Sequence, residues 1–133
     1  QALFMADRIR ANWPERKRIA LFYLNTDYGR PFRQNVERAL QTDYDVELIA
    51  PIVMGAARET AAQIMDDEPD ILIWLGDEPT LTQVLHGIRE RGGVLPIVVA
   101  GDLAFINGLD AKREPVSGDE ILAVLRRRLR ARP

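Results

Sequence analysis

The chain has 133 residues, no cysteine, a formal net charge of −2, and 47% hydrophobic and 29% charged residues. That is the size and make-up of one globular domain, and it excludes disulfides, thiolate metal sites and cysteine nucleophiles. The weak negative charge provides no field for gathering nucleic acid, and the longest apolar runs, 71–75 and 95–100, are too short to cross a membrane.

In chain order, Leu3, Ala6, Ile9 and Trp13 have helical spacing and predict an opening helix over 2–12, ended by Pro14. A basic stretch leads into Ile19–Leu24, an apolar run of the kind covered on both faces in parallel sheets, followed by the turn residues Asn25, Thr26, Asp27 and Gly29. Phe32, Val36, Ala39 and Leu40 mark an amphipathic helix, and Val46–Val53 reads as a second strand. Thr60, Ala61, Ile64 and Met65 form the next helical face, stopped at Pro69 before a third strand, Ile71–Leu75. Leu81, Val84, Leu85 and Ile88 form another, closed by Gly92 and Gly93, and Ile97–Val99 is a fourth strand. From Gly101 to Ser117 the pattern weakens to an edge strand at most. Ser117 and Asp119 then cap a last helix, 118–130, carrying Ile121, Leu122, Leu125 and Leu129.

Strict βα alternation predicts a single α/β domain over 1–133: a three-layer αβα fold on an open parallel sheet, strand order 2-1-3-4, with a flavodoxin-like layout. In such sheets ligands sit beyond the carboxyl ends of the strands. The function is therefore expected in four loops, 25–29, 53–56, 76–79 and 101–103. They carry Asp27, Tyr28, Asp77, Glu78 and Asp102, a set that suits an ammonium group, a hydroxyl array or a divalent cation. The competing reading of each carboxylate is a turn former or helix cap, most directly for Asp77 and Glu78 before Pro79.

Other charged groups read as surface. Asp66, Asp67, Glu68 and Asp70 fall on the opposite rim, and His86, the single histidine, sits mid-helix with no nucleophile placed to use it. Arg126, Arg127, Arg128, Arg130 and Arg132 end the last helix, where cations favour the dipole, and could also touch an anionic partner. Phosphate-cradling G-x-G-x-x-G and P-loop patterns are missing, as is the G-x-S-x-G elbow. No catalytic residue, metal or cofactor is expected. An enzyme reading survives only as a Mg²⁺-dependent hydrolase built on Asp27, Asp77 and Asp102.

Three segments resemble one lobe of the type I periplasmic binding proteins, the Leu/Ile/Val-binding family of ABC-transporter receptors. They are the strand ending in Tyr23-Leu-Asn-Thr-Asp-Tyr-Gly-Arg30, then Glu68-Pro69-Asp70 running through an apolar strand to Gly76, then Leu95–Val99 leading into Gly101-Asp102. The resemblance covers residues 1–102. It implies a small-molecule ligand such as an amino acid or amide, with Asp77 and Asp102 at ligand positions and Tyr28 as a cleft wall, although the family often has an aromatic where Asp77 stands. It also implies a second lobe or neighbouring domain, joined through the opening helix, and an extracytoplasmic location. Alanine at Asp77 or Asp102 is then expected to abolish ligand response and spare the fold. Glu114-Pro115 and the last helix resemble response-regulator receiver domains, which would be cytoplasmic and act through protein contacts. That receiver would be degenerate: Asn25 and Thr26 stand at its acidic pair, Leu75 at its phosphoacceptor and Glu114 at its Lys. The start at Gln1 without an initiator Met is the pattern of a processed or excised piece.

Overall fold

The computed structural model describes residues 2–15 and 17–100. The predicted edge strand, the last helix, Asp102 and the arginines 126–132 lie outside the described residues. The elements are α1 (Ala2–Asn12), β1 (Arg18–Tyr23), α2 (Gly29–Leu40), β2 (Asp45–Pro51), α3 (Ala57–Asp67), β3 (Ile71–Leu75), α4 (Glu78–Glu90) and β4 (Ile97–Ala100). The strands form one all-parallel sheet in the order β2-β1-β3-β4, as the alternation predicts.

Period-two side-chain alternation divides the core into two layers. Ala20 and Phe22 of β1, Leu72 and Trp74 of β3, and Val98 of β4 pack beneath α3 and α4 with Ile64, Leu81, Leu85 and Ile88. Ile19, Leu21 and Tyr23 with Ile71, Ile73 and Val99 face the other way, onto Met5 and Ile9 of α1 and Val36 and Leu40 of α2. Both interior strands are thus apolar at nearly every position. In β2 the register slips between Arg18↔Asp45 and Ala20↔Leu48, so β2 carries one extra residue there. The slip moves Val46 to the α2 side while Leu48 faces α3 and α4.

At the amino ends of the strands, Arg18 ties two elements together. Its guanidinium pairs with Asp67 at 3.1 Å, and its backbone N–H donates to Asp70 Oδ2 at 3.1 Å. Half of the acidic run read as plain solvated surface is therefore a clasp between the end of α3 and the start of β1. Helix α3 ends on Glu68 in the left-handed region, φ 52°, a conformation that favours glycine, and Pro69 blocks any further turn.

Helix α1 is fastened as an integral part of the fold. Met5, Ala6 and Ile9 are buried, Arg10 pairs with Asp43 at 2.8 Å and donates to the Ala39 carbonyl, and the Tyr44 hydroxyl donates to the Trp13 carbonyl at 3.1 Å. Burial raises the Tyr44 phenol above its ordinary range, with Arg10 opposing the shift and Asp43 adding to it. A phenol raised in the folded state stabilises the fold fully below its unfolded value, near 10, and loses that contribution as pH climbs through the folded value. Tyr44→Phe should therefore cost about 1 kcal/mol at pH 7, the worth of one hydrogen bond. It should also lose less stability than the parent between pH 9.5 and 11.5 in urea titrations. A parallel decline in the two proteins would refute the role given to Tyr44.

Candidate functional site

The crossover connections put the ends of β1, β2 and β3 on one rim, and the ladders run past the strand ends: Leu24 N–H donates to the Leu75 carbonyl, and Ile52 N–H to the Tyr23 carbonyl. Three of the four loops expected to carry function therefore lie side by side. The loop after β1 is held by its own side chains. Arg30 donates to Asp27 Oδ1 at 2.5 Å and to Asn25 Oδ1 at 3.1 Å, and Thr26 Oγ1 accepts from Gly29 N–H at 2.9 Å. Asp27 points fully into solvent, so its ion pair adds little stability and serves to shape the loop. Tyr28 is 80% exposed and stacks on Phe32, ring centroids 6.4 Å apart, which stands its ring on the rim.

Asp77 has a local role that the sequence allowed as one of two readings. It is the N-cap of α4: its Oδ2 accepts from Thr80 N–H at 2.8 Å, with Pro79 in the first turn. Trp74 Nε1 donates to the Asp77 carbonyl at 2.9 Å, fixing the turn to the core from below. The second carboxylate oxygen, Oδ1, is buried without a hydrogen-bond partner among the described residues. Glu78 begins α4, partly buried, where a negative charge suits the helix dipole, and its carbonyl accepts from Thr82 Oγ1. Asp77→Ala should accordingly lower stability by about 1 kcal/mol, whereas Asp77→Ser keeps a capping oxygen and should cost a few tenths. Equal costs for the two variants would remove the capping role. Asp77→Ala is thus expected to leave the domain folded, at the reduced stability that loss of the cap implies.

The structure brings Asp27, Tyr28, Asp77 and Glu78 onto one rim, at the ends of the adjacent strands β1 and β3. Among the described residues no group of three or more acidic or imidazole side chains is arranged to hold a metal ion. His86 lies on the exposed side of α4, away from this rim, 2.8 Å from Glu90. The receiver positions Asn25, Thr26 and Leu75 also end strands here, and none of them is acidic.

The sequence reading passed over the apolar side chains of the rim. Leu24 is 37% exposed, Val53 56% and Met54 68%, and Met54 reaches Thr80, its sulfur 3.5 Å from Oγ1. Gly76 leaves room between Leu24, Ile52 and Trp74, since a Cβ there would come within 2.3 Å of Ile52 Cδ1. The available signal was Val53-Met54 in a segment otherwise read as loop, where apolar residues have no local reason to stand.

No protein-family model matches the sequence, and no curated protein matches it. Among solved structures, the fold is similar to a protein of Rhodospirillum rubrum described as a branched-chain amino acid ABC transporter. The TM-score is 0.63 at 18% identity, and the match covers 74% of this chain and 29% of the other. The chain thus matches under a third of that protein's length. At this identity the likeness establishes the fold, an open parallel α/β lobe.

Proposed function

We propose that the chain is one lobe of a solute-binding receptor that holds a small, amino-acid-like molecule at the carboxyl rim of its sheet and catalyses no reaction. The observation that carries this reading is the make-up of the rim. Exposed Leu24, Tyr28, Val53 and Met54 stand beside polar groups anchored by their own loops, on the side of an open sheet where ligands bind. The similarity to part of a transporter protein supports the same reading. Asp27 and Asp77 already hold Arg30 and the α4 cap, so apolar contact makes the larger contribution, and the ligand is a molecule with an aliphatic or aromatic part. Tyr28 and Asp77 flank it, with Glu78 and Asp102 as further candidate contacts. The resemblance of residues 1–102 to the Leu/Ile/Val-binding receptors also makes a second lobe or a neighbouring domain the partner that closes over the rim, in an extracytoplasmic setting.

A thermal-shift screen of aliphatic and aromatic amino acids, their amides and simple sugars tests the proposal. Ligand at about 100 times its Kd should add about 2.7 kcal/mol of stability and raise Tm by several degrees. Met54→Asp should abolish that shift with little change in the Tm of the free protein. A sugar that shifts Tm while every apolar amino acid fails, or a shift that survives Met54→Asp, would reject the assignment.

A further inference from the structure

A second concave surface lies at the opposite ends of the strands. It is a groove of about 540 Å³ between the last turns of α3 and α4 and the segment 92–97 that leads into β4. Met65, Ile88, Val94 and Leu95 supply its apolar lining, and Glu68 and Asp70 its acidic edge. Val94 is 93% exposed, the most exposed large apolar side chain of the described residues. Of the nearby carboxylates, Asp67 is taken by Arg18 and Asp70 by the Arg18 backbone, whereas Asp66 and Glu68 make no such pair among the described residues. An apolar floor with the uncommitted Glu68 carboxylate on its lip fits a segment that is apolar along one side and basic along another.

The chain contains such a segment. Residues 118–130 carry Ile121, Leu122, Leu125 and Leu129 at helical spacing, and Arg126, Arg127, Arg128 and Arg130 beside them. A stripe of that kind needs an apolar partner. Reach is sufficient: β4 ends at Ala100, and residues 101–117 can extend about 55 Å at roughly 3.3 Å per residue. The return along β4 is only about 13 Å for its four residues. We propose that residues 118–130 dock in this groove within the same molecule, leucines on the floor and arginines over Glu68. The docking is independent of the ligand rim, which lies at the other ends of the strands.

The chain has no cysteine, so a designed pair reports this contact without background. Full-length Val94→Cys with Leu125→Cys should oxidise to an intramolecular disulfide about tenfold faster than a control pair, Arg38→Cys with Leu125→Cys, on the opposite face of the sheet. Val94→Cys with Leu122→Cys gives a second geometry should one register fail. Glu68→Arg should slow the first reaction about threefold, and adding Arg127→Glu should recover part of the rate. Equal rates for the groove and control pairs, or cross-links formed only between molecules, would overturn the proposal.

Discussion

Trp74→Ala should cost about 3–5 kcal/mol, the usual range for emptying a fully buried aromatic site, and leave the domain largely unfolded at modest urea. Trp74 is 1% exposed, one residue from the carboxyl end of β3, stacked on Phe22 of the neighbouring strand at 5.7 Å. It also donates the hydrogen bond that holds the Asp77 carbonyl. Since an ordinary domain is stable by only about 5–15 kcal/mol, this one side chain accounts for a large share. Trp74→Phe separates the contributions: it keeps ring packing against Phe22 and loses the indole hydrogen bond, about 1 kcal/mol. Urea unfolding of the three proteins should show midpoints falling in the order parent, Phe, Ala at unchanged slope. A cost under about 1 kcal/mol for alanine would mean that the core layer beneath α3 and α4 does not depend on this residue in the way its burial implies.

The second large effect is expected at Gly29, where α2 begins. A Cβ on Gly29 would stand 2.0 Å from the Leu24 carbonyl oxygen, 3.0 Å from its carbon and 3.1 Å from Thr26 Oγ1. Two of those three atoms are backbone, so no rotamer change relieves the clash, and the loop or the start of α2 must move. Gly29→Ala should therefore cost about 1–3 kcal/mol, although alanine is otherwise the better helix former. The displaced loop is the one that carries Asp27 and Tyr28, so the same variant should weaken ligand response at temperatures where it is still folded. Gly55→Ala is the contrast. Nothing lies within 4 Å of a Cβ there, and only the positive φ of 82° penalises it, so its cost should be about 1 kcal/mol and arise from backbone strain alone. Denaturation of both variants, with the thermal shift measured beside it, distinguishes steric displacement of the rim from general loss of stability.

The architecture was legible because two periodicities alternate along the chain without interruption. Continuous runs such as 19–24 and 71–75 can be covered only from both faces, and helical stripes such as Leu81, Val84, Leu85 and Ile88 can bury themselves only against such a sheet. Strand order followed from right-handed crossovers. Boundaries moved by a residue or two, β1 to Arg18–Tyr23 and β2 to Asp45–Pro51, because ladder hydrogen bonds and not hydropathy end a strand. The extra residue in β2 had no sequence signal, since apolar residues stand on both sides of the slip.

For the site, composition and spacing predicted which candidates share one rim but not the state of those residues. Sequence placed Asp27, Tyr28, Asp77 and Glu78 on loops at the ends of adjacent strands, because chain direction in a parallel sheet fixes which ends share a rim. Tertiary structure decided that Asp27 is bound to Arg30, that Asp77 caps α4, and that Leu24, Val53 and Met54 stand exposed among them. Those outcomes depend on distances of a few ångströms between groups from different loops, set by how β1, β2 and β3 pair. A carboxylate reads the same in a sequence whether it caps a helix or faces a ligand, since its residue type records the charge and not the neighbour that uses it.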